Sequence, residues 1–357
     1  SGDDTEKNAP TDGRNLSIEE LARLENEQAG GRKSGQNGVA DGSETDESSA
    51  ASDREGQSSG GIETRPGNSQ NETGDTANSS GIGDFTASLP EKQRTYNWSE
   101  LTSYDALVRE FYAIDPATAA DETQLNQKAL LGRVLSVQKR TDDQPQILIY
   151  HTHSQETFAD SRPGERADTV IGLGDDLQEL LEKQYGYEVL HITEAFDMKE
   201  GCLERSRAYN YAEPVIAAAL EEHPSIQVVI DLHRDGVNGS KRLVTEINGK
   251  PTAQIMFFNG LSRTKESGEL TSLPNPYQAE NLAFSFQMEY EAKQYYPGFS
   301  RCIYLKGYRY NLHLRPRSVL LEVGAQTNTV EEVKNAMGPF ADILHKVLSG
   351  KSPASGG

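Results

Sequence analysis

Val228-Val229-Ile230-Asp231-Leu232-His233-Arg234-Asp235-Gly236 is the stretch on which the reading of this chain turns. Five nearly continuous apolar positions end abruptly in a polar triplet. Such a run suits a strand covered on both faces, as in a parallel sheet flanked by helices. Two other stretches share the form: ILIYHTHSQETF at 147–158, and SVLLEVG at 318–324. In each, a short apolar strand delivers polar side chains at its carboxyl end. The segments between them read as helices and turns. Val170, Leu173, Leu177 and Leu180 recur at helical spacing, and Gly186 is placed to end that helix. Tyr187 to Ile192 reads as another strand. Pro214 suits the first turn of a helix running to Leu220. Asn248-Gly249 predicts a hairpin between Leu243–Ile247 and Ala253–Phe258. A long helix is expected over Tyr277–Tyr295, and Thr329 with Glu332 forms a capping box opening a last helix to about Leu348. Strands alternating with helices predict an α/β, three-layer fold over residues 144–350, with a mainly parallel sheet covered by helices. Ligands in such sheets sit at the carboxyl ends of the strands.

Moving outward, the composition changes. The 357-residue chain carries a net charge of −20 and only 35% hydrophobic residues. The first hundred residues hold 20 acidic and 9 basic side chains, so more than half of the negative surplus lies there. Residues 1–88, rich in Gly, Ser, Asn, Asp, Glu and Thr, are expected to be a disordered acidic low-complexity linker. One patch within it, Leu16, Ile18, Leu21 and Leu24, has helical spacing. Residues 89–143 read as a helical N-terminal extension that packs on the α/β region. Leu101, Leu107, Val108, Phe111 and Tyr112 suggest one helix, broken by Asp115-Pro116, and Gln124–Leu135 a second. Residues 351–357 are expected to be a disordered tail.

The acidic balance and the lack of a basic run exclude nucleic acid as a partner. No run of 18 apolar residues occurs, so no span is expected. The opening Ser1-Gly2-Asp3-Asp4 reads as a cut end, leaving room for an anchor upstream. Cys202 and Cys302 lack metal-type spacing and are read as free buried thiols, with a disulfide as the alternative.

The polar clusters carry the chemistry. His151-Thr152-His153-Ser154-Gln155-Glu156 follows one strand, His233-Arg234-Asp235 another, and Glu322 closes a third. A lone histidine at a strand end is more often structural than ligating. Two histidines and a glutamate at H-x-H-x-x-E spacing point to a metal, because zinc takes imidazole nitrogen and carboxylate oxygen and keeps one position open. Glu322 is then available as general base, unless Arg234, Arg309, Arg315 or Arg317 simply pairs with it. His151 and His153 would face the same way on a continued strand, so both stay open as the ligand. His191, without acidic company in sequence, His223 before a proline, and His345 at a helix C-terminus, where a cation is favoured, read as structural; His313 is ambiguous.

Together, ILIYHTHSQETF, VVIDLHRDG and YNLHLRPRSVLLEVGAQTNTVEE resemble the stage II sporulation protein P family of endospore-forming bacteria. The resemblance covers roughly residues 100–348. The family looks like a branch of the zinc-dependent N-acetylmuramoyl-L-alanine amidases. By that resemblance His233 stands for the histidine of an S-I-H-x-N motif, and Glu322 for the catalytic glutamate of V-E-x-G. Overlaying the first strand selects His153 as ligand, with His151 as alternative. The carboxylate ligand is Glu156 by the H-x-H-x-x-E run, or Glu165 or Asp168 by the wider amidase pattern. The resemblance implies zinc and cleavage of the amide between N-acetylmuramic acid and L-alanine in peptidoglycan, with cutting of peptide cross-links as a further activity. It also implies a role in engulfment, with stage II sporulation proteins D and M as partners. The implied location is the space between mother-cell and forespore membranes, held by an anchor this chain lacks. Arg234 and Asp235 adjoin the metal site and are expected to bind substrate. Arg205 is expected either to meet stem-peptide carboxylates or to sit at a solvated helix start, and Asn311 either to line the groove or to form a turn. Two readings compete with this one. One is a non-catalytic peptidoglycan-binding module on the same fold. The other is a metallopeptidase, against which the missing H-E-x-x-H helix argues.

Overall fold

A computed structural model describes residues 89–139 and 142–351. The expected linker at 1–88, its Leu16–Leu24 patch and residues 352–357 of the tail lie outside the described residues. After a 3-10 turn at Trp98–Glu100 come α1 (Tyr104–Phe111), β1 (Tyr112–Ile114), α2 (Gln127–Leu131), β2 (Ile147–Tyr150), α3 (Val170–Lys183) and β3 (Val189–His191). A small hairpin, β4 (Met198–Lys199) and β5 (Cys202–Leu203), leads into α4 (Ala208–Glu222) and β6 (Val228–Asp235). Then come β7 (Val244–Ile247), β8 (Lys250–Ala253), β9 (Ile255–Gly260), the short pair β10 (Arg263–Thr264) and β11 (Gly268–Glu269), and α5 (Gln278–Tyr295). The chain closes with β12 (Ser300–Lys306), β13 (Ser318–Ala325) and α6 (Val330–Leu348).

Among the described residues, seven strands form the central sheet in the order β1-β12-β9-β13-β6-β2-β3. Five of its six pairings are parallel, and only β9 against β13 is antiparallel. The sheet is thus two parallel halves set head to tail. All three polar-ended strands, β2, β6 and β13, belong to the four-strand half, so their carboxyl ends share one edge. The α/β three-layer reading holds.

Side-chain alternation then decides which face receives what. Ile147 and Ile149 of β2, Val228, Ile230 and Leu232 of β6, and Val319, Leu321 and Val323 of β13 enter one large core beneath α3, α5 and α6. The intervening Leu148, Tyr150 and Val229 pack on the other face against Ala212, Ile216 and Leu220 of α4. By the same parity Asp231, His233 and Glu322 belong to that second face. β6 and β13 run in register, with Glu322 opposite His233.

Several local expectations shift. The helix at 104–111 stops before Asp115-Pro116, and Tyr112–Ile114 passes into an edge strand parallel to β12. The extension therefore contributes to the sheet as well as packing on it. In the 124–135 stretch only Gln127–Leu131 is helical. Pro214 lies inside α4, which begins six residues earlier than its proline suggested. The Asn248-Gly249 hairpin forms between β7 and β8 with both residues at positive φ, and the following apolar run becomes a separate central strand, β9. Thr329 and Glu332 form the expected capping box. Cys202 and Cys302 are free, and Cys202 is exposed, not buried. No helix among the described residues is long and apolar enough to cross a membrane.

Candidate active site

β2 ends at Tyr150, and the chain turns at once, so residues 151–155 are not a continued strand. That overturns the expectation that His151 and His153 face alike. His151 points toward α3. Its Nδ1 lies 2.9 Å from the Leu232 carbonyl oxygen and its Nε2 2.8 Å from His191 Nε2. His191 in turn meets Asp175 at 3.1 Å through Nδ1. The acidic company that its own strand lacks comes from α3. Gly174 makes this arrangement fit, since a Cβ there would stand 2.5 Å from His191 Nε2. Burial, then the neighbouring His191, pushes the His151 imidazole down to about 3, so it stays neutral. Both its ring nitrogens are committed.

His153 turns the other way. It is buried, and neither ring nitrogen has a hydrogen-bond partner. Its ring stands edge-on to His233, 5.3 Å between centroids, and edge-on to Tyr209 at 5.7 Å. Burial first, then the Arg205 charge, holds its imidazole well below the ordinary range.

The turn carrying His153 is fixed from beneath by two buried aspartates. Asp197 accepts from Ser154 Oγ at 2.6 Å and from Gln155 N at 3.2 Å. Asp231 accepts from Thr152 N at 2.9 Å and Thr152 Oγ1 at 2.6 Å. Glu156 comes next, buried beside His233, with Oε2 3.7 Å from His233 Nδ1. Its other oxygen accepts from Arg205 Nη2 at 2.6 Å, and Oε2 accepts from Arg234 N at 3.0 Å. Burial works to raise the Glu156 carboxyl, yet the Arg205 and Arg234 charges outweigh it and hold it low. The alternative carboxylates are placed differently. Asp168 takes both its oxygens to Arg162, at 2.7 Å and 3.0 Å, and Glu165 is exposed.

His233 lies fully buried, its Nε2 2.7 Å from Asp231 Oδ1. The N–H is not in line with that oxygen, so the contact is an ion pair and not a directed hydrogen bond. Burial lowers its imidazole, but Asp231, then Glu156 and Glu322, lift it to about 9. Glu322 is also fully buried, and neither carboxyl oxygen has a hydrogen-bond partner. Burial, reinforced by the Asp235 charge, raises its carboxyl well above the usual range. Two residues further on, Gly324 adopts φ +60, where a Cβ would stand 2.9 Å from Asn328.

The four residues expected to bind substrate are all engaged with the protein. Arg205 holds Glu156. Arg234 donates from Nε to the Thr157 carbonyl at 2.7 Å. Asp235 accepts from Arg301 Nη2 at 2.6 Å. Asn311 is buried and donates to the Tyr209 carbonyl at 2.9 Å, from a positive φ of 55. Of the other histidines, His313 meets Glu213 at 3.1 Å and not Glu322. His345 stacks on Tyr185 at 4.6 Å. Burial, then nearby lysines, holds His345 at about 4, so it carries no charge at neutral pH, contrary to the cation expected at that helix end.

Asp231, Asp197, Tyr209 and Arg301 were not singled out from sequence. Asp231 alone left a signal, because it precedes His233 by two residues on one strand and so shares its face.

These donors suit zinc chemically: two imidazoles and a carboxylate beside an uncommitted carboxyl. The ring nitrogens of His153 have no partner in the protein, an expensive condition for a buried polar group that a metal relieves. As the side chains stand, no three such groups among the described residues converge closely enough to hold an ion.

Among solved structures, a complex of the CwlD amidase from Clostridioides difficile with the GerS lipoprotein aligns with TM-score 0.36 and 16% identity over 57% of this chain and 98% of that one. The catalytic domain of CwlV, an N-acetylmuramoyl-L-alanine amidase from Bacillus (Paenibacillus) polymyxa var. colistinus, aligns with TM-score 0.35 and 14% identity over 58% and 97%. Stage II sporulation protein P of Bacillus subtilis (strain 168) is 28% identical over 222 residues, 58% of this chain and 52% of the relative. The match thus spans about half the length of that curated relative. The family model for Stage II sporulation protein P matches residues 11–345, nearly the whole sequence, and the chain belongs to that family.

Proposed function

We propose that this chain is a zinc-dependent N-acetylmuramoyl-L-alanine amidase acting on peptidoglycan during engulfment. The observation that carries the reading is the meeting of His153, His233 and Glu322 on one face of three parallel strand ends, with His153 and Glu322 buried and unpartnered. His153, Glu156 and His233 would hold the zinc, which supplies Lewis acidity toward the scissile carbonyl and acidifies water at neutral pH. Glu322 takes one proton from the attacking water. The water oxygen bonds to the lactyl carbonyl carbon, the C–N bond breaks, and Glu322 passes the proton to the departing L-alanine nitrogen. A carboxyl raised by burial and by the Asp235 charge is suited to hold a proton between those two steps. Arg205 and Arg234 put buried positive charge beside Glu156, which would favour stem-peptide carboxylates brought to this site. Cutting of peptide cross-links is a second proposed activity at the same site.

Residues 1–88 are proposed as an acidic linker ahead of the extension at 89–143 and the catalytic domain at 144–350. Stage II sporulation proteins D and M are the proposed partners, and the space between mother-cell and forespore membranes the proposed location. The test is bound zinc together with muropeptide digestion by the intact chain, Glu322→Ala and His233→Ala. About one zinc, released stem peptides, metal without cleavage in E322A, and neither in H233A support the reading. No zinc and undiminished wall binding by every variant would replace it with a non-catalytic wall-binding module.

A further inference from the structure

Asp231 is fully buried in the middle of an apolar strand, where an ionised carboxylate is retained only if its oxygens are answered. Three groups answer it. Thr152 N and Thr152 Oγ1 donate at 2.9 Å and 2.6 Å, and His233 Nε2 lies 2.7 Å from Oδ1. The first two belong to the turn that carries His153. The third belongs to the other imidazole of the site. One carboxylate therefore holds both rings, reaching across from β6 to the end of β2. Its position is dictated by the strand: residues two apart share a face, so Asp231 lies directly beneath His233. With Nε2 turned down onto Asp231, Nδ1 is the nitrogen left facing Glu156 Oε2 at 3.7 Å.

We infer that Asp231 is a positioning residue that keeps the His233 proton on Nε2 and so makes Nδ1 the metal-donating atom. This rests on the zinc reading above. The chemical logic is general: an imidazole that binds metal through one nitrogen gives its other N–H to an acceptor, which fixes both tautomer and ring orientation and makes the ring a better donor. Among the described residues near His233, Asp231 is the carboxylate placed to do this: its Oδ1 lies 2.7 Å from Nε2, so its charge favours the proton on that nitrogen even though the contact is not a linear hydrogen bond. Thr152 secures the other side of the carboxylate and stops it from turning away.

The test uses the full chain with zinc alone. Zinc affinity is measured by competition with a chromophoric chelator for the intact chain, Asp231→Asn and Thr152→Val. Long-range proton–nitrogen spectra of histidine-labelled protein then report which His233 nitrogen is metallated and which is protonated. Circular dichroism melts check that each variant folds. The expected result is zinc on Nδ1 with the proton on Nε2, an affinity loss of about 10- to 100-fold in D231N, and a smaller loss in T152V, which keeps the charge. Zinc on Nε2 in the intact chain would overturn the inference, and this readout stands even if D231N fails to fold. Undiminished affinity in D231N would overturn it too. Equal losses in D231N and T152V would also do so, because the aspartate would then act only by shaping the turn. An intact chain that binds no zinc fails the amidase reading itself, which separates that failure from the others.

Discussion

The end of the last helix and the ends of the central strands bury acids in opposite ways. At α6 every buried carboxylate is answered. Glu332 accepts from Thr329 N at 3.0 Å and Asn328 Nδ2 at 2.9 Å, and pairs with Arg242. Asp342 accepts from Tyr296 Oη and from Lys346 Nζ, each at 2.7 Å. At the strand ends Glu322 is just as deeply buried, yet both its oxygens lack hydrogen-bond partners, as do both ring nitrogens of His153. A folded chain normally pairs the polar groups it buries, because an orphan costs about 1–3 kcal/mol. The helix spends its polar groups on stability. The strand ends leave Glu322 and His153 uncommitted, and uncommitted groups are available to a ligand.

The contrast breaks most visibly at Glu322. Glu322→Gln should lower muropeptide cleavage by about 10²- to 10⁴-fold, the range for a lost general base. Its melting temperature should not fall, since the substitution removes no protein contact. A large loss of stability in E322Q would mean that Glu322 is paired after all, and the contrast with α6 would collapse.

Asp342→Ala should do the reverse. Removing one partner of a buried pair costs about 3–5 kcal/mol. Here Lys346 can reach solvent, so the low end is expected, measured by urea unfolding. Cleavage per folded molecule should stay unchanged. Between these extremes lie the two histidines of the H-T-H run. His153→Ala should abolish zinc binding while the fold persists. His151→Ala should keep one zinc but lose about 1–3 kcal/mol, because Leu232 O and His191 are left unanswered. Swapped outcomes would exchange the roles of the two rings.

Those two residues also mark where the sequence stops speaking. VVIDL and SVLLEV declared themselves as covered strands, and period-two alternation puts Asp231 and His233 on one face of their strand. That Glu322 shares that face follows from the pairing of β13 with β6. The capping box at Thr329 and the hairpin at Asn248-Gly249 were equally plain, because each is a local rule about backbone hydrogen bonds or positive φ. Which of His151 and His153 faces the site was not local. It depends on β2 ending at Tyr150, and that end is set by Asp231 and Asp197 gripping residues 152, 154 and 155 from distant strands and loops. The pairing of His191 with Asp175, and of Glu156 with Arg205, is likewise tertiary. So is the antiparallel seam between β9 and β13, since an apolar run states that it is a strand but not which way its neighbour points.

A smaller effect probes the helix side again. Thr329→Ala removes the side-chain acceptor for Glu332 N, which lies 3.3 Å away, and with it half of the capping box. The expected loss is about 1 kcal/mol, seen as a few degrees in melting temperature, with zinc content unaffected. If zinc content fell with it, the helix cap and the strand ends would be coupled, and the two regions would not be independent.

The mildest expectation concerns His345, near the end of the same helix. Burial and the nearby lysines depress its imidazole to about 4, against an ordinary value of 6.5. Between those values the unfolded chain binds a proton there and the folded chain does not. Stability from this residue is therefore complete above about pH 6.5 and declines as the pH falls toward 4, after which the folded state also protonates. Melting temperatures from pH 7 to pH 4.5 should fall less steeply in His345→Gln than in the intact chain. Matching slopes would show that the ring titrates as freely in the folded protein as in the unfolded one. The helix side would then contain a group indifferent to its surroundings, and its polar residues could no longer be treated as uniformly committed to the fold.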